Sequence, residues 1–175
     1  GVVGLVDVLD IAVALLRRAG IRDPDEYAYE LLVEALVQLG RHDAAAAAVV
    51  ELEELVGTDR RPNDDALTVR CTALVAEDVH APALFERAIA VHPDYAPFEL
   101  ARTHLLYGER LRRMGERRRA RDQLRLSAEL FERLGADWWA ERCRRELAAS
   151  GARLRRSDAT TRDELGHQAD AATPR

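Results

Sequence analysis

Leucine, valine and alanine recur every three or four positions along this chain, and no stretch alternates apolar with polar residues over a useful strand length. The pattern predicts helices throughout. The first covers residues 2–19 and ends at Gly20. The second has Asp23 as N-cap, Pro24 in its first turn and Glu26 three residues after the cap, and it stops near Leu39, before Gly40. A third covers about 43–56 and stops at Gly57. Pro62, Asn63 and the paired Asp64 and Asp65 give 58–65 a loop composition. Further helices are predicted over about 65–77, from Pro82 to His92, from Pro97 to Met114, over 117–134, and from a cap at Asp137 to Ser150. From Ser157 the chain is polar and short of large apolar residues, which predicts a disordered tail over 157–175 behind a helical domain over 1–156.

The helices repeat. Turns at Gly40, Asp78, Gly115 and Gly151 are spaced by 38, 37 and 36 residues. A leucine stands four residues before each turn: Leu36, Leu74, Leu111 and Leu147. An alanine stands five residues after the first three: Ala45, Ala83 and Ala120. At the fourth, Arg156 falls outside the array. A large side chain on one helix and a small one on the next suits an antiparallel hairpin, because the large residue fills space the small one leaves at the crossing. The expected fold is an all-α solenoid of three antiparallel helix pairs, with a half-repeat at each end.

Composition narrows the chemistry. All 26 basic residues are Arg, so the chain holds no Walker A lysine, no Schiff-base lysine and no Ser-x-x-Lys pair. Aromatic residues make up only 5%, so the core must rely on small, close-packed side chains. Cys71 and Cys143 form no Cys-x-x-Cys motif and read as small core residues of a reduced, cytoplasmic chain. Asp7 and Asp10 interrupt the apolar N-terminal stretch, which therefore reads neither as a signal peptide nor as a membrane span. The net charge of -5 is uneven: residues 1–87 carry 8 Arg and 17 acidic residues, while 88–175 carry 18 and 14. That asymmetry suits head-to-tail association or an acidic partner, set against plain solvated helix faces.

No catalytic constellation stands out. The five His residues form no His-Glu-x-x-His or other ligand spacing, so neither metal nor cofactor is expected. His42 and His92 are placed to meet helix-end carbonyls. No Ser lies in Gly-x-Ser-x-Gly, and Glu53-Glu54 and Asp64-Asp65 read as exposed pairs. The densest charge cluster is Arg110, Arg112, Arg113, Arg117, Arg118, Arg119, Arg121 and Arg125. It lacks interleaved aromatics, and nearby Glu109, Glu116, Asp122 and Glu129 can neutralise part of it, so a solvated or intramolecular role is expected ahead of nucleic-acid contact. Trp139 is expected to pack inward and Trp138 to stay partly exposed.

The period resembles the tetratricopeptide repeat (TPR), nominally about 34 residues. The best unit is 101–134, with Gly108, Leu111, Gly115, Ala120, Leu124 and Ser127 on the motif's small and large positions. The first unit has Val33 in place of that glycine, then Leu36, Gly40, Ala45 and Val49; the middle unit offers Cys71, Leu74, Asp78 and Ala83. The motif's register would put Tyr27, Glu30, Glu34 and Gln38 on the concave side of the first unit. In the best unit it would put Arg102, Glu109, Arg112 and Arg113 there. Such grooves take peptides or small effectors.

A second resemblance is more specific. The run Pro97-Phe98-Glu99-Leu100-Ala101-Arg102-Thr103, then Leu106-Tyr107-Gly108-Glu109-Arg110-Leu111-Arg112-Arg113, is similar to the helical-repeat region of large ATP-binding, LuxR-class transcription regulators of the MalT-like STAND group. So are Ala128-Glu129-Leu130-Phe131-Glu132-Arg133-Leu134-Gly135-Ala136, then Trp139-Ala140-Glu141-Arg142, and the stretch from Asp23 to His42. The likeness covers about 20–156. It implies a non-catalytic sensor and oligomerisation segment that couples effector or partner binding to transcription activation. The family's ATPase domain would hold ATP and its helix-turn-helix would read DNA. This chain carries neither, and after Arg162-Asp163-Glu164-Leu165 it continues as Gly166 to Arg175 without helical period. The expectation is a truncated or frameshifted chain, with a free-standing TPR-like adaptor for protein partners as the alternative.

Overall fold

The computed structural model describes residues 2–19, 25–58 and 60–151. Among these the fold is all-α, with eight helices: α1 (Val2–Ala19), α2 (Asp25–Gln38), α3 (His42–Val56), α4 (Pro62–Val75), α5 (Ala81–Val91), α6 (Pro97–Arg113), α7 (Arg117–Arg133) and α8 (Asp137–Ala149). The expected Asp23–Pro24 start of α2, Gly20, Arg156 and the tail over 157–175 lie outside the described residues. Each helix packs on its neighbour in sequence, and α2 on α4 and α4 on α6 meet as well.

Two turns are built the same way. Gly40 and Gly115 take φ of 71° and 84°, which only glycine adopts without strain. The next amide then folds back to the leucine carbonyl five residues earlier: Arg41 N to Leu36 O and Glu116 N to Leu111 O, each 2.9 Å. Leu36 and Leu111 therefore close their helix ends as well as filling the core.

The middle turn differs and shifts the register. Asp78, unlike the glycines, takes no left-handed conformation; α4 stops at Val75 and Ala76 is extended at φ -66°, ψ 155°. The chain turns through Glu77, whose carbonyl accepts from His80 N and Ala81 N. As a result the buried face of α5 begins two residues sooner than the repeat predicts, at the helix's first residue, Ala81. Ala83 is exposed; the buried face is Ala81, Phe85 and Ala88. This matches Ala45, Val49 and Leu52 on α3 and Ala120, Leu124 and Ser127 on α7. The start of α4 also departs from the expected loop. Pro62 opens the helix, and Asp64, buried rather than exposed, accepts from Arg61 N at 2.9 Å.

Burial follows from how many neighbours each helix has. On α7 the buried residues form one stripe, Ala120, Leu124, Ser127, Ala128 and Phe131, and the Arg-rich remainder faces water. On α6, packed against α4, α5 and α7, nearly every residue from Ala101 to Leu111 is buried. The α6–α7 crossing is close because its residues are small. Ser127 Oγ donates to Ala101 O at 2.7 Å, and a Cβ added to Gly108 would lie 2.6 Å from Leu124 Cγ and 3.2 Å from Ala120 O.

Gly108→Ala sets two effects against each other. Helix propensity favours alanine by about 1 kcal/mol. Overpacking costs about 1–3 kcal/mol, and here it opposes a fully buried leucine and a backbone carbonyl that cannot swing away. Urea denaturation is expected to show a net loss of stability of about 1 kcal/mol or more; a stabilised variant would mean the crossing is looser than described.

Candidate functional site

The even-numbered helices present a common face, and it is charged. Helical spacing aligns Glu30, Glu34 and Gln38 on α2, Arg70 and Leu74 on α4, and Arg102, Glu109 and Arg113 on α6. Trp139, Arg142 and Glu146 line up on α8. Arg70 is fully buried and pairs with Glu30, itself buried. It also donates to Glu99 Oε2 at 2.7 Å, Glu99 O at 2.9 Å and Thr103 Oγ1 at 3.1 Å. Arg102 joins Glu30 at 2.6 Å and Glu34 at 2.9 Å. Arg142 then reaches from α8 to Glu34 at 3.2 Å and to Glu109 at 2.9 Å. Trp139 lies under both cations, 5.4 Å from the Arg102 guanidinium and 5.6 Å from that of Arg142. Its ring stacks on Phe131 at 5.5 Å and is half-buried, while Trp138 stays 63% exposed.

The sequence-derived concave residues therefore divide. Glu30, Glu34, Arg102 and Glu109 come together, but as partners of one another and of Arg70 and Arg142. Arg112 pairs with Glu146 at 2.7 Å. Gln38 is exposed and donates to Glu34 Oε1 at 3.3 Å. Arg113 is exposed and makes no hydrogen bond or ion pair among the described residues. Tyr27 lies in α2, and its side chain is outside the described set. Sequence reasoning missed Arg70, Glu99 and Arg142. Arg70 carried a signal: it is the lone charge in the run Ala66-Leu67-Thr68-Val69-Arg70-Cys71-Thr72-Ala73-Leu74-Val75.

Burial sets the electrostatics. It pushes the Arg70 guanidinium down to about 10, helped by Arg102, which still leaves it charged at neutral pH. Burial also raises the Glu109 carboxyl against the pull of Arg142. Arg142 is disfavoured by burial too, yet Glu109 and Glu34 more than offset this and raise it. Burial holds both cysteines as thiols, Cys71 pushed up to about 11 and Cys143 raised, and both are free. His92 does not serve a helix-end carbonyl as expected; its Nε2 lies 2.7 Å from Thr103 Oγ1, and burial, with Arg70 nearby, pushes it down to about 4.

A cavity of about 340 Å³ opens on this face where α2, α4 and α6 end. Val37, Leu74 and Leu106 supply apolar wall, and Glu34, Gln38, His42, Glu109, Arg110 and Arg113 the polar wall. Much of the arginine cluster is spent internally: Arg110 on Asp78 and the Ala76 carbonyl, Arg119 on Glu86 and Tyr107, Arg121 on the Ser150 carbonyl, Arg125 on Asp122. Among the described residues no group of three or more His, Cys, Asp or Glu side chains is placed to hold a metal, and no helix is long and apolar enough to cross a membrane. No family model, curated protein or solved structure matches the chain.

Two outcomes test the network. Arg70→Met removes one of the two guanidiniums shared by Glu30 and Glu99, the other being Arg102, and leaves the buried carboxylates short of compensating charge. The expected loss is about 3–5 kcal/mol in urea denaturation; a neutral result would mean water reaches the site. His92 tests the pH behaviour. Its folded pKa lies below the ordinary 6.5, so the stability it contributes is complete above 6.5 and is lost as pH falls towards 4. Thermal unfolding of His92→Gln between those limits is expected to fall less steeply with acidification than that of the parent chain; parallel curves would remove His92 from the account.

Proposed function

We propose that this chain is a non-catalytic sensor and oligomerisation segment of a LuxR-class, ATP-dependent transcription regulator. It is read as a TPR-like solenoid of antiparallel helix pairs. Three pairs, α2–α3, α4–α5 and α6–α7, are flanked by α1 and α8 as half-repeats. Support for the solenoid comes from helices that pack in sequence while α2, α4 and α6 also touch in turn. The observation that carries the function is the ion chain through Glu30, Arg70, Arg102, Glu34, Arg142 and Glu109, which ties four helices along one face. An effector or partner that engages this face acts on all four helices together. Networks of ion pairs and hydrogen bonds between packed helices can carry coupling of that kind, and this chain of ion pairs is one. ATP and DNA would be handled by other domains of such a regulator, and the partners of this segment would be protein surfaces.

The decisive experiment reads the coding DNA on both sides in all frames. A Walker A motif upstream and a helix-turn-helix downstream are the expected result. Clean start and stop signals with neither motif would overturn the regulator reading in favour of a free-standing helical adaptor.

A further inference from the structure

We propose that the cavity between α2, α4 and α6 is a binding site for a small monocarboxylate with a compact hydrocarbon body. The volume, about 340 Å³, lies at the low end for small-molecule pockets and suits a short ligand rather than an extended chain. Val37, Leu74 and Leu106 offer it apolar contact. The polar wall then decides the head group. Glu34 and Glu109 are already engaged: Glu34 by Arg102 and by Nη1 of Arg142, Glu109 by Nε and Nη2 of Arg142. They have little left to offer a cationic ligand.

The open valence lies on the arginines. Arg113 is exposed, lines the cavity and has no hydrogen bond or ion pair among the described residues. Arg110 lines it too; its Nη2 is held by Asp78 at 2.9 Å and the Ala76 carbonyl at 2.6 Å, and its Nη1 donates to the Leu74 carbonyl at 3.5 Å. Its Nε is buried and has no partner among the described residues. Arg110, pinned at its tip, adds fixed positive charge beside the planar Arg113 fork, which lies in the field of Glu109 and Glu146 but has no direct partner among the described residues. That arrangement matches a carboxylate.

Charge balance sets the ligand's valence. Three helices end around the cavity, at Gln38, Val75 and Arg113, and their carbonyl ends carry partial negative charge. Glu34 and Glu109 add to the negative potential. One unpaired guanidinium offsets a single negative charge in such surroundings, and a phosphate dianion would meet net repulsion. The bound carboxylate would lie beside Glu34 and Glu109, at the point where α2, α6 and α8 are joined through Arg142. This deepens the sensor reading and rests on it, yet binding by the isolated chain is measured independently of what the flanking DNA encodes.

The test is titration calorimetry of the full chain with straight-chain alkanoates of about four to eight carbons, the matching alcohols and hexyl phosphate. Saturable binding of at least one alkanoate at a Kd below about 10 mM is expected, with none by its alcohol. Arg113→Gln, a surface change checked for folding by circular dichroism, is expected to weaken that binding about tenfold or more, and Arg113→Lys less. The proposal is overturned if no alkanoate saturates, if Arg113→Gln binds equally well, or if hexyl phosphate binds more tightly than hexanoate. It is also overturned if a short peptide ending in leucine binds while every alkanoate fails, because the groove would then be a peptide site.

Discussion

A guanidinium with no exposure is the constraint on which the rest of this structure depends. Arg70 sits at the centre of α4, among Leu67, Cys71 and Leu74. Removing such an ion from water costs several kcal/mol unless opposite charge and hydrogen bonds replace its hydration. Glu30 of α2 and Glu99 of α6 supply the charge, so three helices must meet within ion-pair distance of one side chain. The requirement then spreads. Glu30 is shared with Arg102, Arg102 with Glu34, and Glu34 with Arg142, and only Glu109 ends the series. Four carboxylates face three guanidiniums in that series. The surplus is felt at Glu109, where burial raises the pKa and Glu34 and Glu146 add to the rise.

Ion pairs of this kind fix geometry more than they add stability, and the cohesion comes from apolar packing. One core joins α1 through α7, with Val33, Leu36, Leu52, Leu74, Phe85, Leu111 and Ala120 among its members. A smaller one joins α6, α7 and α8 around Leu105, Leu124, Phe131 and Cys143. The two cores need helices at close range, and Ala45, Ala81, Gly108 and Ala120 allow it. The charged face needs the same helices in one rotational setting. A shift of one residue along α6 would turn Arg102 away from Glu30 and also drive side-chain bulk against Leu124. Packing and charge pairing therefore select the same register.

The helices were legible in the sequence wherever turn chemistry was explicit. Gly40 and Gly115 end helices as glycine should, and Pro97 opens α6 at the predicted residue. The middle pair was not legible. Alanine is common enough that Ala81 and Ala83 are equal candidates in one dimension, and only the extended Ala76 and the turn at Glu77 decide between them. The charged face was half legible. Helical spacing aligned Glu30 with Glu34 and Arg102 with Glu109, but spacing along one helix says nothing about which charge on another helix will answer it. Arg142 and Glu34 are 108 positions apart. Arg70 was legible in principle, because a lone arginine in an apolar run must find a partner or leave the core.

The way Arg142 is held gives this face a particular mechanical character. α2 packs on α1, α3 and α4, and it reaches α6 and α8 through long side chains. A packed interface resists displacement because every contact shortens or lengthens together. A junction of two arginines and two glutamates can instead exchange one oxygen for another with small movements of flexible side chains. Arg142 already divides its fork between Glu34 and Glu109. An oxyanion held at the cavity by Arg113 would add negative charge beside Glu34 and Glu109 and so shift how the fork is shared. Because the opposite surfaces of α3 and α7 take no part in this exchange, a response confined to the charged face would leave the apolar cores intact.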